Sequence, residues 1–202
     1  MSSPITLQDF HVKALADYGI ADSWPEAVLK EAKTKEEHLA KEIDVLETFP
    51  FVTIDGEDAK DFDDAIFCEF SDHGFHLKVA IADVSFYVKE GSALDLEAAK
   101  RTTSVYMPKK VVPMLPEKLS NELCSLQPNK RRRCLCIEMD FDKDGYISSY
   151  KFHRGIIKSV ARLTYTEVEN QLINGVKDSD YAESLKAAIA LFNKLIINKG
   201  YR

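Results

Sequence analysis

Residues 53–65 read Thr53-Ile54-Asp55-Gly56-Glu57-Asp58-Ala59-Lys60-Asp61-Phe62-Asp63-Asp64-Ala65. This stretch holds five aspartates and one glutamate against a single lysine. Apolar runs flank it, Phe49-Pro50-Phe51-Val52 before and Ala65-Ile66-Phe67-Cys68 after. Like charges that are crowded between apolar strands repel each other, so they must be solvated, paired or bound to a cation. The stretch therefore predicts a divalent metal site between two strands.

The spacing of four of these aspartates, Asp55, Asp61, Asp63 and Asp64, is D-x5-D-x-D-D. Mg²⁺ prefers oxygen ligands and usually takes only one or two carboxylates, completing its shell with water and substrate phosphate. Four aspartates are therefore enough for two ions, the arrangement that clamps attacking and leaving oxygens in phosphoryl transfer. The alternative is a solvated acidic loop that caps strand ends. The flanking strands weaken that alternative, so the residues alone predict a Mg²⁺-dependent phosphoryl hydrolase whose substrate is open.

Composition narrows the class of protein. The chain of 202 residues has a net charge of -6 and a pI near 5.4, so it lacks the overall basic charge of a simple electrostatic nucleic-acid binder. Its four cysteines form no C-x-x-C pair, which argues against a zinc clip. No apolar run approaches the ~20 residues of a membrane span. These features predict a reduced, cytoplasmic, soluble protein without membrane contact or a small-molecule cofactor.

Hydrophobic periodicity predicts an α+β fold, a mostly antiparallel sheet with flanking helices. The predicted helices cover residues 7–15, 23–46, 94–102, 165–174 and 179–199. The predicted strands cover 51–55, 64–70 and 75–84, with a long hairpin of 135–141 and 146–160. Prolines make 104–117 an extended loop rather than a helix. The last helix carries an apolar stripe of Tyr181, Leu185, Ala188, Phe192 and Leu195, with nothing after it to pack against.

Two further features concern nucleic acid. Lys130-Arg131-Arg132-Arg133 is the only dense basic run and could contact a phosphate backbone, although a solvated loop before a strand is an equal explanation. Tyr106 lies in the proline-bounded loop, where its ring could stack on a base, although core packing is the commoner fate of a tyrosine.

Residues 140–145 imitate the start of a calcium-binding loop, but the twelfth position of such a loop would be Lys151 rather than Glu. We therefore interpret these residues as a hairpin turn.

Residues 52–65 resemble the catalytic-domain signature of the ribonuclease II / ribonuclease R family, and the match is closest to the ribonuclease R branch. Further segments follow in the order found in that family: Val79-Ala80-Ile81-Ala82-Asp83-Val84, Thr103-Ser104-Val105-Tyr106-Met107-Pro108, Val112-Pro113-Met114-Leu115-Pro116, Leu119-Ser120-Asn121-Glu122-Leu123-Cys124-Ser125-Leu126 and Ala161-Arg162-Leu163-Thr164-Tyr165. The resemblance divides the chain into a helical entry segment, residues 1–48, and a first portion of the RNB catalytic domain, residues 49–202.

The resemblance implies processive 3′-to-5′ exoribonuclease chemistry on the 3′ end of single-stranded RNA, releasing nucleoside 5′-monophosphates. It implies Mg²⁺ as the cofactor, as one or two ions, with Mn²⁺ able to substitute. Asp55, Asp61, Asp63 and Asp64 match the four active-site aspartates of the family. Asp55 and Asp64 then bind the ion directly, while Asp63, with Asp61, serves the chemical step. Tyr106 matches the tyrosine that stacks on the 3′-terminal nucleotide.

The chain departs from the family pattern in two ways. It contains nothing similar to the OB-type RNA-binding modules of the family, and no S-P-I-R-type segment with the arginine that assists at the phosphate. We therefore expect a front portion of the enzyme that binds Mg²⁺ weakly and degrades RNA poorly on its own. The alternatives are a non-catalytic module that binds RNA or a protein, and an unrelated metal-dependent phosphatase.

Overall fold

The computed structural model of this protein describes residues 6–36 and 44–198. Within these ranges the chain forms an α+β fold. The helices are α1 (Leu7–Asp17), α2 (Glu26–Thr34), α3 (Val84–Tyr87), α4 (Ala93–Arg101), α5 (Tyr165–Asn174) and α6 (Ala182–Asn198), with one π-helix at Lys118–Leu123. The strands are β1 (Asp44–Val45), β2 (Val52–Asp55), β3 (Asp64–Ser71), β4 (Gly74–Ala82), β5 (Val105–Met107), β6 (Lys110–Val112), β7 (Arg131–Asp142), β8 (Ile147–Lys158) and β9 (Ala161–Thr164).

The contacts within the chain divide it into two compact units. One unit contains residues 6–36 and 85–120, and the other contains residues 44–84 and 121–198. The second unit holds a seven-stranded sheet in the order β1-β8-β7-β4-β3-β2-β9. Its strands pair antiparallel except at the two edges, where β1 runs parallel to β8 and β9 runs parallel to β2. The predicted fold class is confirmed, whereas the division at residue 48 stays a prediction.

Alternating apolar positions produce β2, β3, β4, β7 and β8 close to the places where they were predicted, whereas β1, β5, β6 and β9 were not predicted as strands. Strand β7 is longer than predicted and β8 is shorter, and the turn between them is closed by Asp142. The Asp142 Oδ1 atom accepts hydrogen bonds from the backbone N–H groups of Asp144 and Tyr146, each at 2.9 Å. An aspartate that binds the backbone two residues further on is typical of a turn. The interpretation of 140–145 as a hairpin turn is therefore confirmed.

The second predicted helix is wrong in length. Helix α2 covers only Glu26–Thr34, and its N-cap is Pro25, which makes no side-chain cap hydrogen bond. The helix ends because Lys35 adopts an extended conformation with ψ of 132°. Residues 37–43 lie outside the described residues, and 44–45 form a strand rather than the end of a helix. The predicted helix of residues 23–46 is therefore too long at both ends.

Helix α6 packs on the sheet, so the expectation that it has nothing to pack against is wrong. Its Ala187 and Leu191 are buried with Cys68, Phe75 and Phe141. A sheet buries one face by covering it with a helix, and α6 does this for β3 and β4.

The predicted apolar stripe faces the core at Tyr181, Leu185, Ala188 and Leu195, and only its fifth member, Phe192, was wrongly assigned. Leu185 is buried as expected, but the side chain of Phe192 is 54% exposed and its neighbour Leu191 is buried instead.

The first unit is organised around two side chains. The Glu31 carboxylate of α2 accepts a hydrogen bond of 3.0 Å from the backbone N–H of Leu94 in the first turn of α4. The Arg101 guanidinium lies 3.6 Å from the centre of the Trp24 ring and donates to the Ser23 carbonyl. The predicted loop of residues 104–117 is confirmed as non-helical, and within it β5 and β6 form a short hairpin.

Replacing Gly74 by alanine is expected to destabilise the sheet. Gly74 has φ of +152°, and a Cβ atom there would lie 2.3 Å from the Phe141 carbonyl oxygen of the neighbouring strand. Because the obstacle is backbone, it cannot rotate away. We expect Gly74→Ala to lower the free energy of unfolding by about 3 kcal/mol. Urea denaturation measures this, with His73→Ala in the same turn as the control. A loss as small as that of His73→Ala would contradict the packing described.

Candidate active site

The acidic loop, residues 56–63, connects two neighbouring strands of the sheet. Strand β2 ends at Asp55 and the antiparallel strand β3 begins at Asp64. On the other side of β2, the parallel strand β9 places Thr164 opposite Asp55. Both ends of the loop are therefore fixed by strands of one rigid sheet, and the aspartates at positions 55, 61, 63 and 64 are brought into one neighbourhood.

Ser125 anchors the second half of the acidic loop. The Ser125 Oγ atom donates a hydrogen bond of 2.7 Å to the Lys60 carbonyl and accepts one of 3.1 Å from the Phe62 N–H group. The Leu126 N–H group then donates to the Phe62 carbonyl at 2.9 Å. Ser125 is fully buried, and the Phe62 side chain is buried as well. These bonds hold the backbone just before Asp63 without using any carboxylate.

Arg162 anchors the first half of the acidic loop. Its Nη2 atom donates to the Gly56 carbonyl at 2.5 Å and to the Glu57 carbonyl at 2.7 Å. The Glu57 carboxylate in turn accepts a hydrogen bond of 3.1 Å from the Thr166 hydroxyl at the start of α5. Sequence reasoning assigned no role to Arg162. The only signal for it was its place in one of the segments that resemble the family, because its contacts depend on β9 lying beside β2.

The charge in this neighbourhood is only partly compensated. Burial and the nearby charge of Asp64 raise the pKa of Asp55 to about 6, and the guanidinium of Arg162 opposes this rise. Burial raises the pKa of Asp63, and the charges of Asp61 and Asp64 raise it further. Asp63 and Asp64 reach the surface, yet enough protein surrounds Asp64 that burial raises its pKa too. A cation bound among these carboxylates would relieve the repulsion.

The donor set suits a hard divalent cation in its chemistry and its electrostatics. One oxygen, Asp55 Oδ2, is buried and has no hydrogen-bond partner among the described residues. An unsatisfied carboxylate oxygen is costly, and a cation would satisfy it. The arrangement of the described side chains in space, by contrast, does not form a site for such a cation. Across residues 6–36 and 44–198, no group of three or more His, Cys, Asp or Glu side chains is arranged so that it could hold a metal ion.

Tyr106 lies in β5, in the first unit, opposite Val111 of β6. Its side chain is 68% exposed, so the expectation of core packing is wrong for this residue. An exposed ring on a short hairpin is available to stack on a base, and the stacking role stays a prediction.

The basic run begins strand β7 and is not the solvated loop that was the alternative. Arg131 is exposed and pairs with Glu47. Arg132 and Arg133 are only 6% and 4% exposed, and the Arg132 Nε atom donates to the Ser125 carbonyl at 3.0 Å. Burial on this scale argues against phosphate contacts from Arg132 and Arg133. The RNA-binding role of the run stays a prediction, and Arg131 is the member best placed for it.

In the part of the chain that the structure describes, no helix is sufficiently long and apolar to pass through a bilayer.

Comparison with known proteins gives consistent results. Ribonuclease R of Vibrio parahaemolyticus is 52% identical over 160 residues, which are 77% of this chain and 19% of that protein. Ribonuclease R of Escherichia coli K12 is 47% identical over 189 residues, which are 89% of this chain and 23% of that protein. The chain therefore spans about a fifth of the length of these relatives.

A solved structure extends the likeness to three dimensions. Mycoplasma genitalium RNase R, in its complex with double-stranded RNA, superposes with a TM-score of 0.87 at 35% identity, covering 94% of this chain and 35% of that one. The sequence model of the RNB domain matches residues 43–199, the span that contains the acidic loop and the seven-stranded sheet. The chain belongs to the RNB domain family.

Proposed function

We propose that this chain carries the cation-binding acidic loop of a 3′-to-5′ exoribonuclease, which hydrolyses single-stranded RNA from its 3′ end to nucleoside 5′-monophosphates. The observation that carries the proposal is the cluster of four aspartates at the β2–β3 connection, where burial, together with mutual repulsion, raises the pKa of Asp55 and Asp63. Membership of the RNB domain family, with relatives named ribonuclease R, supports RNA as the substrate.

In this proposal, Asp55 and Asp64 hold Mg²⁺ or, in its place, Mn²⁺, and Asp61 and Asp63 complete the site for one or two ions. The ion supplies Lewis acidity toward the phosphate and lowers the pKa of bound water. The protein contributes the positioning. The sheet fixes Asp55 and Asp64, while Ser125 fixes the backbone of Lys60 and Phe62.

Substrate contacts complete the proposal. Tyr106 stacks on the 3′-terminal base, which holds the scissile phosphate still for in-line attack. Arg131, exposed at the start of β7, contacts the phosphate backbone of the RNA further from its 3′ end. The Tyr106 assignment follows the resemblance, the Arg131 assignment follows from the basic run of the sequence, and both side chains are exposed.

One observation favours a second candidate, a non-catalytic module that binds RNA or a protein. The carboxylates do not converge into a metal-holding group in the described residues. A protein that keeps the fold without cation binding would have no need for convergence. Direct measurement of cation binding separates the two candidates, since the module binds RNA without it.

The first prediction from the proposed function concerns Asp55. Because its pKa in the folded state is about 6, above its ordinary value of 3.8, the folded protein favours the protonated form. Stability without a cation should therefore fall as the pH rises from about 4 to about 6 and stay low above pH 6. Asp55→Asn removes this penalty. Allowing for solvent screening, we expect a gain of about 1 kcal/mol at pH 7.5.

Thermal and urea denaturation at pH 4 and pH 7.5 test this prediction, with and without Mg²⁺. Mg²⁺ should stabilise the unmodified chain at pH 7.5 and have little effect on the Asp55→Asn variant. Asp72→Asn, in the exposed β3–β4 turn, serves as the matched control and should respond to Mg²⁺ as the unmodified chain does. Equal Mg²⁺ stabilisation of the Asp55→Asn variant would remove Asp55 from the site.

The second prediction concerns the chemical step. In a chimera of the Escherichia coli relative that carries this chain in place of its matching segment, Asp63→Asn removes one negative charge at nearly constant shape. We expect turnover to fall by about 10³-fold or more, because the loss affects charge placed for the transition state. Affinity for single-stranded RNA should change less than about threefold, since the charge does not contact the distant phosphates.

Release of nucleoside monophosphates from 3′-end-labelled RNA and binding by fluorescence anisotropy give the two readings. The Asp72→Asn variant of the same chimera should retain its turnover. An Asp63→Asn chimera that still hydrolyses RNA at the unmodified rate would refute the assigned role. A chimera that binds RNA but never hydrolyses it would favour the non-catalytic module.

A further inference from the structure

Arg162 holds backbone rather than carboxylate, although four aspartates lie in its neighbourhood. Its Nη2 atom contacts the carbonyl oxygens of Gly56 and Glu57, the two residues that directly follow Asp55. The Gly56 carbonyl also accepts the N–H group of Ala59, which closes the turn of the acidic loop. One guanidinium nitrogen therefore sets the path that the chain takes as it leaves β2.

The register of the sheet places Arg162 for this task. Arg162 lies opposite Thr53 in the parallel pair of β9 and β2, two positions before the level of Asp55. A long side chain can run along the strand from that position and reach the turn beyond the strand end. The two N–H bonds of one guanidinium nitrogen point in fixed directions within a plane, which suits them to two adjacent carbonyls, whereas a rotating ammonium is less well preorganised.

Two buried atoms show that Arg162 and Asp55 are not hydrogen-bonded to each other. Asp55 Oδ2 and Arg162 Nε are both buried, and neither has a hydrogen-bond partner within the described ranges. The two opposite charges are close enough to influence each other, yet they form no pair. The carboxylate oxygen is left uncommitted while the backbone beside it is fixed.

We propose that Arg162 is a positioning residue, which clamps the Gly56–Glu57 turn so that Asp55 presents an uncommitted oxygen to the divalent cation. This inference rests on the proposed cation-binding function. It adds a residue that touches neither the ion nor the substrate, and it assigns that residue a role in cation affinity.

The direction in which Arg162→Met changes the cation affinity distinguishes a positioning role from a purely electrostatic one. A positive side chain near the site repels a divalent cation, so its removal would strengthen cation binding if charge were its only effect. If Arg162 acts by positioning, Arg162→Met should instead weaken Mn²⁺ binding, by about tenfold. Titration of the 202-residue chain with Mn²⁺, followed by the electron paramagnetic resonance of the free ion, measures the affinity.

Three further variants complete the experiment. Arg162→Lys keeps the charge, but its ammonium has a shorter reach along the strand and no fixed planar geometry, so we expect a loss of about threefold or more. The control is Lys186→Met, which removes an exposed lysine of α6 that pairs with Glu183. This variant should bind Mn²⁺ like the unmodified chain. Asp55→Asn removes the proposed ligand itself. Hydrogen exchange of the Ala59 amide, which donates to Gly56, should become faster in both Arg162 variants.

Each outcome has a distinct meaning. Unchanged or tighter Mn²⁺ binding in the Arg162→Met variant overturns the positioning role, and so does unchanged binding in the Arg162→Lys variant. The lysine variant decides the matter if the methionine variant does not fold. If the unmodified chain binds no Mn²⁺, or if Asp55→Asn binds it equally well, the proposed function itself fails.

Discussion

Repulsion among like charges at the connection between β2 and β3 is the constraint on which the rest of the site depends. Asp55 ends one strand and Asp64 begins the next, so the antiparallel pairing gathers both ends of a loop that carries two more aspartates. Left to itself, such a loop would open to separate its charges. Its ends cannot move apart because each belongs to a strand of a seven-stranded sheet whose core is apolar. The stability of the sheet therefore sustains an unfavourable concentration of charge.

The loop is held largely through its main chain, which explains why an oxygen of the neighbouring Asp55 carboxylate is not used up in a hydrogen bond that anchors the loop. Ser125 and Arg162 bind main-chain atoms of the loop, and Asp55 Oδ2 receives no donor among the described residues. A second acidic group in the same unit shows the opposite arrangement. Burial alone would raise the pKa of Glu138, but Lys78, whose Nζ atom lies 2.5 Å from the Glu138 carboxylate, and two histidines lower it. The Glu138 carboxylate is therefore compensated by neighbouring side chains, whereas the Asp55 carboxylate is only partly compensated.

Sequence reasoning predicted those parts of the fold that depend on local pattern. Alternation located β3, β4 and the β7–β8 hairpin, because a half-buried strand must alternate. It failed where tertiary contacts decide the outcome. Phe192 lies at helical spacing from Leu185, yet the sheet selects Leu191 for burial instead. Arg162 was overlooked for the same reason, since its partners lie more than a hundred residues earlier in the chain and meet it only through the β2–β9 register.

The positions of the charged side chains also bear on how the RNA of the proposed function would be attracted to the loop. RNA phosphates are negative, the loop is negative, and the whole chain has a net charge of -6. Arg132 and Arg133 are buried in the sheet, and Arg162 is committed to backbone carbonyls, so these three cations offer little attraction at the loop. In the proposed function, a bound divalent ion must reverse the sign of the local field before a phosphate can approach. Cation and RNA binding are then thermodynamically linked. By reciprocity, the factor by which the cation raises RNA affinity at the loop is the factor by which RNA raises cation affinity.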